Sequence, residues 1–467
     1  MKTAAFSEKE LVGLLSKPSE DELNYRGERP PMSRLDALRE LKRLEELGKI
    51  LRPEGNYGVN THIHTNESFS VFRSPAEAAW EGYRAGLEVL GINDHYTVAG
   101  HKEFREACRI LGLKATFSIE TIAMSEDAKR EGVRYNDPDN PGRIYLCGKG
   151  VVRDLNPGSQ GEKDLATMTA ALRKRSEEIT KKVDSLLKEI DPSLRLSFEE
   201  IVRLTPQGIV TERHVSQGLE ELIERTFPDD ARRRQFLGEL IGDFEDKDLS
   251  RGGRFQDLLR RKLLKAGGPA YVEELPDAFI GLERMVSLFR EYGAIPTYPV
   301  LGNPVTERER DLESLFDELE RNGIFAVEVI PHRNTRERLQ EILTVADRRG
   351  FPVYSGTEHN TKIVMPLLDA LSADPDFFFP FRRGAELLLG HQFLSKYAGM
   401  GYLNPEGRLS IEDREIAMSF FCFAGRMSWS EVTLERFEAL GHEKVLKFIC
   451  DLYSNLKNRS IDQWLKP

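Results

Sequence analysis

Tyr57-Gly58-Val59-Asn60-Thr61-His62-Ile63-His64 is a short, β-prone apolar run that ends in two histidines. Side chains alternate between faces along an extended strand, so the imidazoles of His62 and His64 fall on one side and can reach one ion. Runs of the same kind recur: Leu87 to His95, Lys114 to Glu120, Arg143 to Gly150, Gly293 to Tyr298, Gly323 to Ile330 and Phe351 to Thr357. Helical stretches separate them. Seven strands alternating with helices predict a parallel α/β architecture.

The helices carry their own punctuation. Ser74-Pro75-Ala76-Glu77 offers a cap, a first-turn proline and a capping-box glutamate, and Gly86 closes that helix. Leucines 35, 38, 41, 44 and 47 mark a helical lead-in. The alternation breaks over 155–290, which is charged and helical in pattern. The organisation therefore reads as a lead-in over 1–50, a barrel over 51–154 and 291–366, a helical insertion and candidate lid over 155–290, and a helical extension over 367–467.

The 467 residues, 40% hydrophobic and 31% charged, have the composition of a folded globular chain. No apolar run approaches the ~18 residues needed to cross a bilayer. The opening Met1-Lys2-Thr3-Ala4-Ala5-Phe6-Ser7-Glu8 lacks the apolar core of a signal peptide, so a cytoplasmic protein is expected. Four cysteines without a CxxC pair fit a reducing compartment. A net charge of −10 should repel nucleic acid and anionic membranes. The basic stretches Arg232-Arg233-Arg234 and Arg251 to Lys262 are flanked by acids and read as a solvated helix face.

In a parallel barrel the active site lies at the carboxyl ends of the strands. Metal-capable groups end five of the seven runs here: His62 and His64, Asp94-His95, Glu120, His332, and Glu358-His359-Asn360. One such ending is usually a cap or a surface residue; five on one rim point to a metal site. Mixed imidazole and carboxylate suit Mn²⁺, Zn²⁺ or Fe²⁺ better than Mg²⁺.

His62-Ile63-His64-Thr65 with Ser68, then Ile92 to Gly100 containing Asp94-His95, then Ser118-Ile119-Glu120, resemble the first motifs of the PHP (polymerase and histidinol phosphatase) superfamily. Arg213-His214-Val215 resembles a stretch in the insertion of its small-phosphoesterase branch. Gly323 to Ile330 and Ser355 to Asn360 resemble its closing motifs. The resemblance covers about 56–360. It implies a distorted (β/α)7 TIM-like barrel that holds one to three divalent ions and hydrolyses phosphate esters.

The pattern is departed from at several places. Phe69 stands where the family has an acid or histidine, Cys147 and Tyr298 where it has histidines, Glu358 where it has aspartate, and Asn360 in the final histidine slot. By resemblance His62, His64, Glu120 and Glu358 would hold one ion firmly, and His95, His332 or His359 a second one weakly. His214 is the candidate general acid/base or substrate contact. Arg213, with His332 and Arg333 at the rim, would hold an anionic small-molecule substrate. Lys149 reads as a surface lysine. The expected activity is metal-dependent phosphoester hydrolysis. A same-fold enzyme acting on a sugar or lactone and a non-catalytic metal-binding barrel are the alternatives. Nucleic acid and membrane are not expected as partners.

Overall fold

A computed structural model describes residues 6–17, 32–55, 57–205, 208–249, 253–302 and 304–457. Arg251 and Gly252 of the basic stretch lie outside the described residues. The strands are β1 (Gly58–Ile63), β2 (Leu87–His95), β3 (Lys114–Met124), β4 (Arg143–Lys149), β5 (Ile280–Gly281), β6 (Ile295–Val300), β7 (Ala326–Val329) and β8 (Val353–Ser355). Seven of them run in the order β1-β2-β3-β4-β6-β7-β8, and a parallel bridge from Ile63 to Glu358 brings the segment after β8 back to β1. The sheet is a nearly closed, distorted TIM-like barrel wrapped by helices.

One strand runs against expectation. β4 is antiparallel to both β3 and β6. A parallel return needs a crossover of a dozen or more residues that spans the sheet, usually through a helix. Between Met124 and Arg143 the chain forms only the six-residue helix Glu126–Glu131, so it turns back at the same rim. β5, only two residues long, pairs with the far end of β3 at Ala123 and Met124.

Register sets the site. His95 pairs with Glu120, Glu120 with Cys147, and Cys147 with Thr297. Paired residues share a face, so His95, Glu120 and Cys147 point into the barrel at one level. Tyr298, one residue beyond Thr297, is turned to the other face. There it is fully buried in the core cluster with Leu315 and Phe316, and its hydroxyl contacts Glu309 at 3.5 Å.

Three apolar clusters hold the chain. The largest joins the barrel to the helices Arg34–Glu46, Pro75–Arg84 and Leu282–Glu291. Leu38, Leu41 and Leu44 of the lead-in are buried in it, whereas Leu47 stays exposed. A second cluster seats Pro375–Ala398, Arg414–Arg426 and His442–Lys457 on the outside of β6 to β8. The third lies within 179–272, so the helices of the insertion carry a core of their own. The 31-residue helix Gln160–Ile190 joins the two regions: Met168 packs in the barrel cluster, and Ile179, Val183 and Leu187 in the third. Among the described residues no helix is long and apolar enough to cross a membrane.

Two close approaches bring loops against β1 and the loop that follows it. A Cβ on Gly208 would lie 1.8 Å from the carbonyl oxygen of Glu67, which accepts from Ile209 N at 2.8 Å. Only glycine allows this contact, which fastens the insertion to the loop that follows His64. A Cβ on Gly356 would lie 2.2 Å from Cβ of His62, so the end of β8 can run directly behind that histidine.

Candidate metal centre

His62 and His64 are fully buried, and each points Nε2 at the same oxygen, Oε2 of Glu120, 3.2 Å away. The two Nε2 atoms are 3.1 Å apart. The neighbours fix which ring nitrogen carries hydrogen. Nδ1 of His62 lies 2.8 Å from Glu328 Oε2 and donates to it. Nδ1 of His64 lies 3.0 Å from Ser68 Oγ, which gives its own proton to Asp94 Oδ1 at 2.6 Å. Asp94 also accepts from Thr65 N and Thr65 Oγ1, both at 2.7 Å. Each histidine therefore has a carboxylate behind it, directly or through a serine, and turns an Nε2 lone pair inward.

Three lone-pair-bearing atoms thus converge with no aligned hydrogen bond at Glu120 Oε2, which is buried without a partner. Such a set of acceptor atoms suits a cation at its centre. Ligand atoms at ~2.0–2.2 Å from one ion, at angles from square to tetrahedral, stand roughly 2.9–3.6 Å apart. The observed spacings fall in that interval. The residues present fit a divalent ion held by His62, His64 and Glu120.

The electrostatics agree. Burial works against charge on every histidine here, and it pushes His64 and His95 down to about 4. His62 goes the other way: burial is outweighed by Glu328, with help from Glu120, and its pKa rises to about 9. Burial would raise the Glu120 carboxyl, yet His95, His62 and His64 hold it well below the usual range.

His95 stands beside this group, with Nδ1 3.7 Å from Glu120 Oε2 and no hydrogen-bond partner. Glu358 does not join it: the Glu358 carboxylate forms an ion pair with Arg333 and accepts from Asn360 Nδ2 at 3.1 Å. Its backbone instead closes the barrel, donating to His62 O at 2.9 Å and accepting from His64 N at 2.7 Å. Both nitrogens of His359 are engaged, Nδ1 with Thr357 Oγ1 at 2.8 Å and Nε2 with Met365 O at 3.1 Å, and the ring stacks on Phe72. Glu358 and His359 have φ of 60° and 58°, a strained region for both. His332 lies exposed on a short turn after β7.

Arg213 and His214 open the helix Glu212–Thr226 beside Phe69. Phe69 is buried at φ 118°, and its ring meets the edge of His214 at 5.2 Å, with Lys362 Nζ 4.9 Å and Arg213 5.9 Å from its centre. Among the described residues neither Arg213 nor Lys362 has a carboxylate within ion-pair distance. Burial lowers Arg213 to about 10 and Lys362 to about 8, outweighing the more distant carboxylates around them. Burial, then Lys362 and Arg213, pushes His214 down to about 3. Its Nδ1 accepts from Thr211 N at 3.1 Å, so Nε2 carries the hydrogen. A cavity of about 630 Å³ lies alongside, lined in part by Phe69, His214, Arg203 and Lys362.

The expectation for Lys149 is overturned. It is fully buried, with Nζ 2.5 Å from Glu328 Oε1 and 3.2 Å from Thr61 O. Sequence reading also passed over Glu328 and Asn93. Asn93 Nδ2 reaches His62 Nε2 at 2.8 Å while its Oδ1 is buried without a partner, so turning the amide over would present an oxygen to the same point. Both residues carried a signal. Glu328 is a lone charge inside an apolar strand, and Asn93 is two residues from His95, on the same face.

No protein-family model and no curated protein matches the chain. Solved structures to which the chain is similar include two. One, from Bifidobacterium adolescentis, is described as a candidate metal-dependent phosphoesterase; it is 16% identical, with 70% of this chain covering 97% of that one at a TM-score of 0.45. The other is an amidohydrolase from Chromobacterium violaceum with bound sulfate and no metal; it is 15% identical, with 69% covering 96% at 0.44. Neither likeness is close enough to bear on function.

Proposed function

We propose that this chain is a metal-dependent hydrolase of a small, anionic phosphate ester. The convergence of His62 Nε2, His64 Nε2 and Glu120 Oε2 carries the reading. It suits a cation, and its nitrogen and oxygen donors favour Mn²⁺, Zn²⁺ or Fe²⁺. A divalent ion held there supplies a Lewis acid and lowers the pKa of bound water.

The chain's own groups do the rest. Glu328 and the Ser68–Asp94 pair keep the two imidazoles in their ligating tautomers. Arg213, half-buried and with no carboxylate at ion-pair distance among the described residues, is suited to the anionic group of the substrate. His214, held neutral with hydrogen on Nε2, is better suited to donate a hydrogen bond to a substrate oxygen than to shuttle protons. This narrows the role expected of His214 to substrate contact. Arg333, engaged with Glu358, is less available for substrate than the sequence suggested.

Metal content of protein purified without added metal, followed by a panel of phosphomonoesters and diesters with Mn²⁺ and Zn²⁺, tests the proposal. About one ion per chain and turnover of a phosphate ester are expected. An ion with turnover confined to lactones, sugars or amides would leave the metal site standing and remove the phosphate. Absence of a bound ion would remove both.

A further inference from the structure

His62 belongs to two buried groups. Its Nε2 side faces His64 and Glu120, and its Nδ1 side faces a second trio with Cys147 and Glu328 whose ligand atoms also lie within 4.8 Å of one another. Cys147 Sγ is 3.6 Å from Glu328 Oε2. Taken alone, this thiol, imidazole and carboxylate would be a soft-to-borderline metal site of the kind that takes Zn²⁺ or Co²⁺.

A cation is already there. Lys149 sits two residues beyond Cys147 on β4 and therefore on the same face. Its Nζ is 2.5 Å from Glu328 Oε1, 3.2 Å from Thr61 O, and sealed from solvent. The ammonium balances the one carboxylate of the trio. A divalent ion arriving there would meet that ammonium at close range, without water to screen it, and would need both nitrogens of His62 stripped of hydrogen if the first group were loaded too.

We propose that the Lys149 ammonium stands in for a second divalent ion, keeping the His62, Cys147 and Glu328 group empty and the centre mononuclear. This rests on the reading of His62, His64 and Glu120 as a metal site. It makes Lys149 a positioning residue: it fixes Glu328, which in turn fixes His62.

Reconstitution with Co²⁺ reads the two groups separately, because only the second contains a thiol. Wild type should take about one Co²⁺ per chain and show no thiolate-to-cobalt charge-transfer band. Lys149→Met, which keeps the length of the side chain without its charge, should take about two, with both ring protons of His62 released, and gain that band. Adding Cys147→Ser to Lys149→Met should remove the band. Lys149→Gln serves if the methionine variant does not fold. Two ions or a thiolate band in wild type would overturn the proposal. So would a folded Lys149 variant that binds one ion without the band, an outcome that leaves the first site intact. No ion in either protein would overturn the metal reading and this one with it.

Discussion

Oε2 of Glu328 lies 2.8 Å from Nδ1 of His62, inside the barrel and fully shielded from water. The contact gives one histidine a fixed tautomer and ties it, through Lys149, to a buried ion pair. Burial alone would raise the Glu328 carboxyl, but His62 and Lys149 keep it below its usual range. The site is therefore held by a network in which each member needs the next.

Glu328→Gln should loosen that network in two measurable ways. Metal affinity should fall by about 10–100-fold, the usual consequence of removing a carboxylate behind a ligating histidine. Stability should fall by roughly 3–5 kcal/mol, because the variant leaves Lys149 buried without its partner. Competition with a chelator reads the first effect and urea unfolding of the metal-free protein the second. Pairing Glu328→Gln with Lys149→Met should recover part of the stability but not the affinity. If neither quantity moves, the network does not matter.

Glu120 lies within β3, which runs on to Met124, and Glu358 lies just beyond β8; the structure gives them different work. Glu120→Gln should bring bound metal below stoichiometric levels, since it removes the only carboxylate of the trio. Glu358→Gln should leave the ion content near that of wild type and instead release Arg333. Metal analysis of the two purified variants decides the matter. Equal loss in both would restore Glu358 as a ligand.

Arg213→Met should weaken inhibition by inorganic phosphate by roughly 10–150-fold, the range for losing one charged hydrogen bond. Bound metal should stay unchanged, because Arg213 is not among the ligating groups. Undiminished phosphate inhibition would show that the anion binds elsewhere.

Acid should destabilise the metal-free protein well before its carboxylates titrate in bulk. His391 donates from Nε2 to Gly150 O and Gly293 O, and its Nδ1 accepts from Tyr402 N at 2.9 Å. A second ring proton would face that N–H, and burial lowers the pKa from 6.5 to about 4. A depressed folded pKa means stability that is present above 6.5 and lost as pH falls toward 4, on the order of 3 kcal/mol for this group. His101, also pushed down to about 4 by burial, adds to the loss. His62 has the opposite sign: its stabilisation is complete below 6.5 and fades as pH rises through about 9. Melting temperatures of metal-free protein across this range should form a dome. A flat profile between pH 6.5 and 4 would refute the buried neutral state of His391.

The period of two along β1 placed His62 and His64 on one face, and strand endings in Asp94-His95 and Glu120 named their neighbours, because those relations are local or repeat along the chain. The alternation of strands and helices likewise announced the barrel, and the break at 155–290 the helices of the insertion. Pairing between distant strands is not local. That β4 turns back depends on how a short connection meets the rim. Tyr298 faces away because of its register against Cys147, and Glu358 meets Arg333 because the β7 and β8 ends converge. Lys149 looked like a surface residue because a charge alone in a strand usually is one; only the arrival of Glu328, 179 positions later, makes its burial tolerable. The sequence by itself determined that His62, His64, His95 and Glu120 fall on strands of one barrel. The tertiary structure decided which of them converge on one point, which stand behind them, and that Lys149 is buried against Glu328, since those relations rest on distances of a few ångströms between elements far apart in the chain.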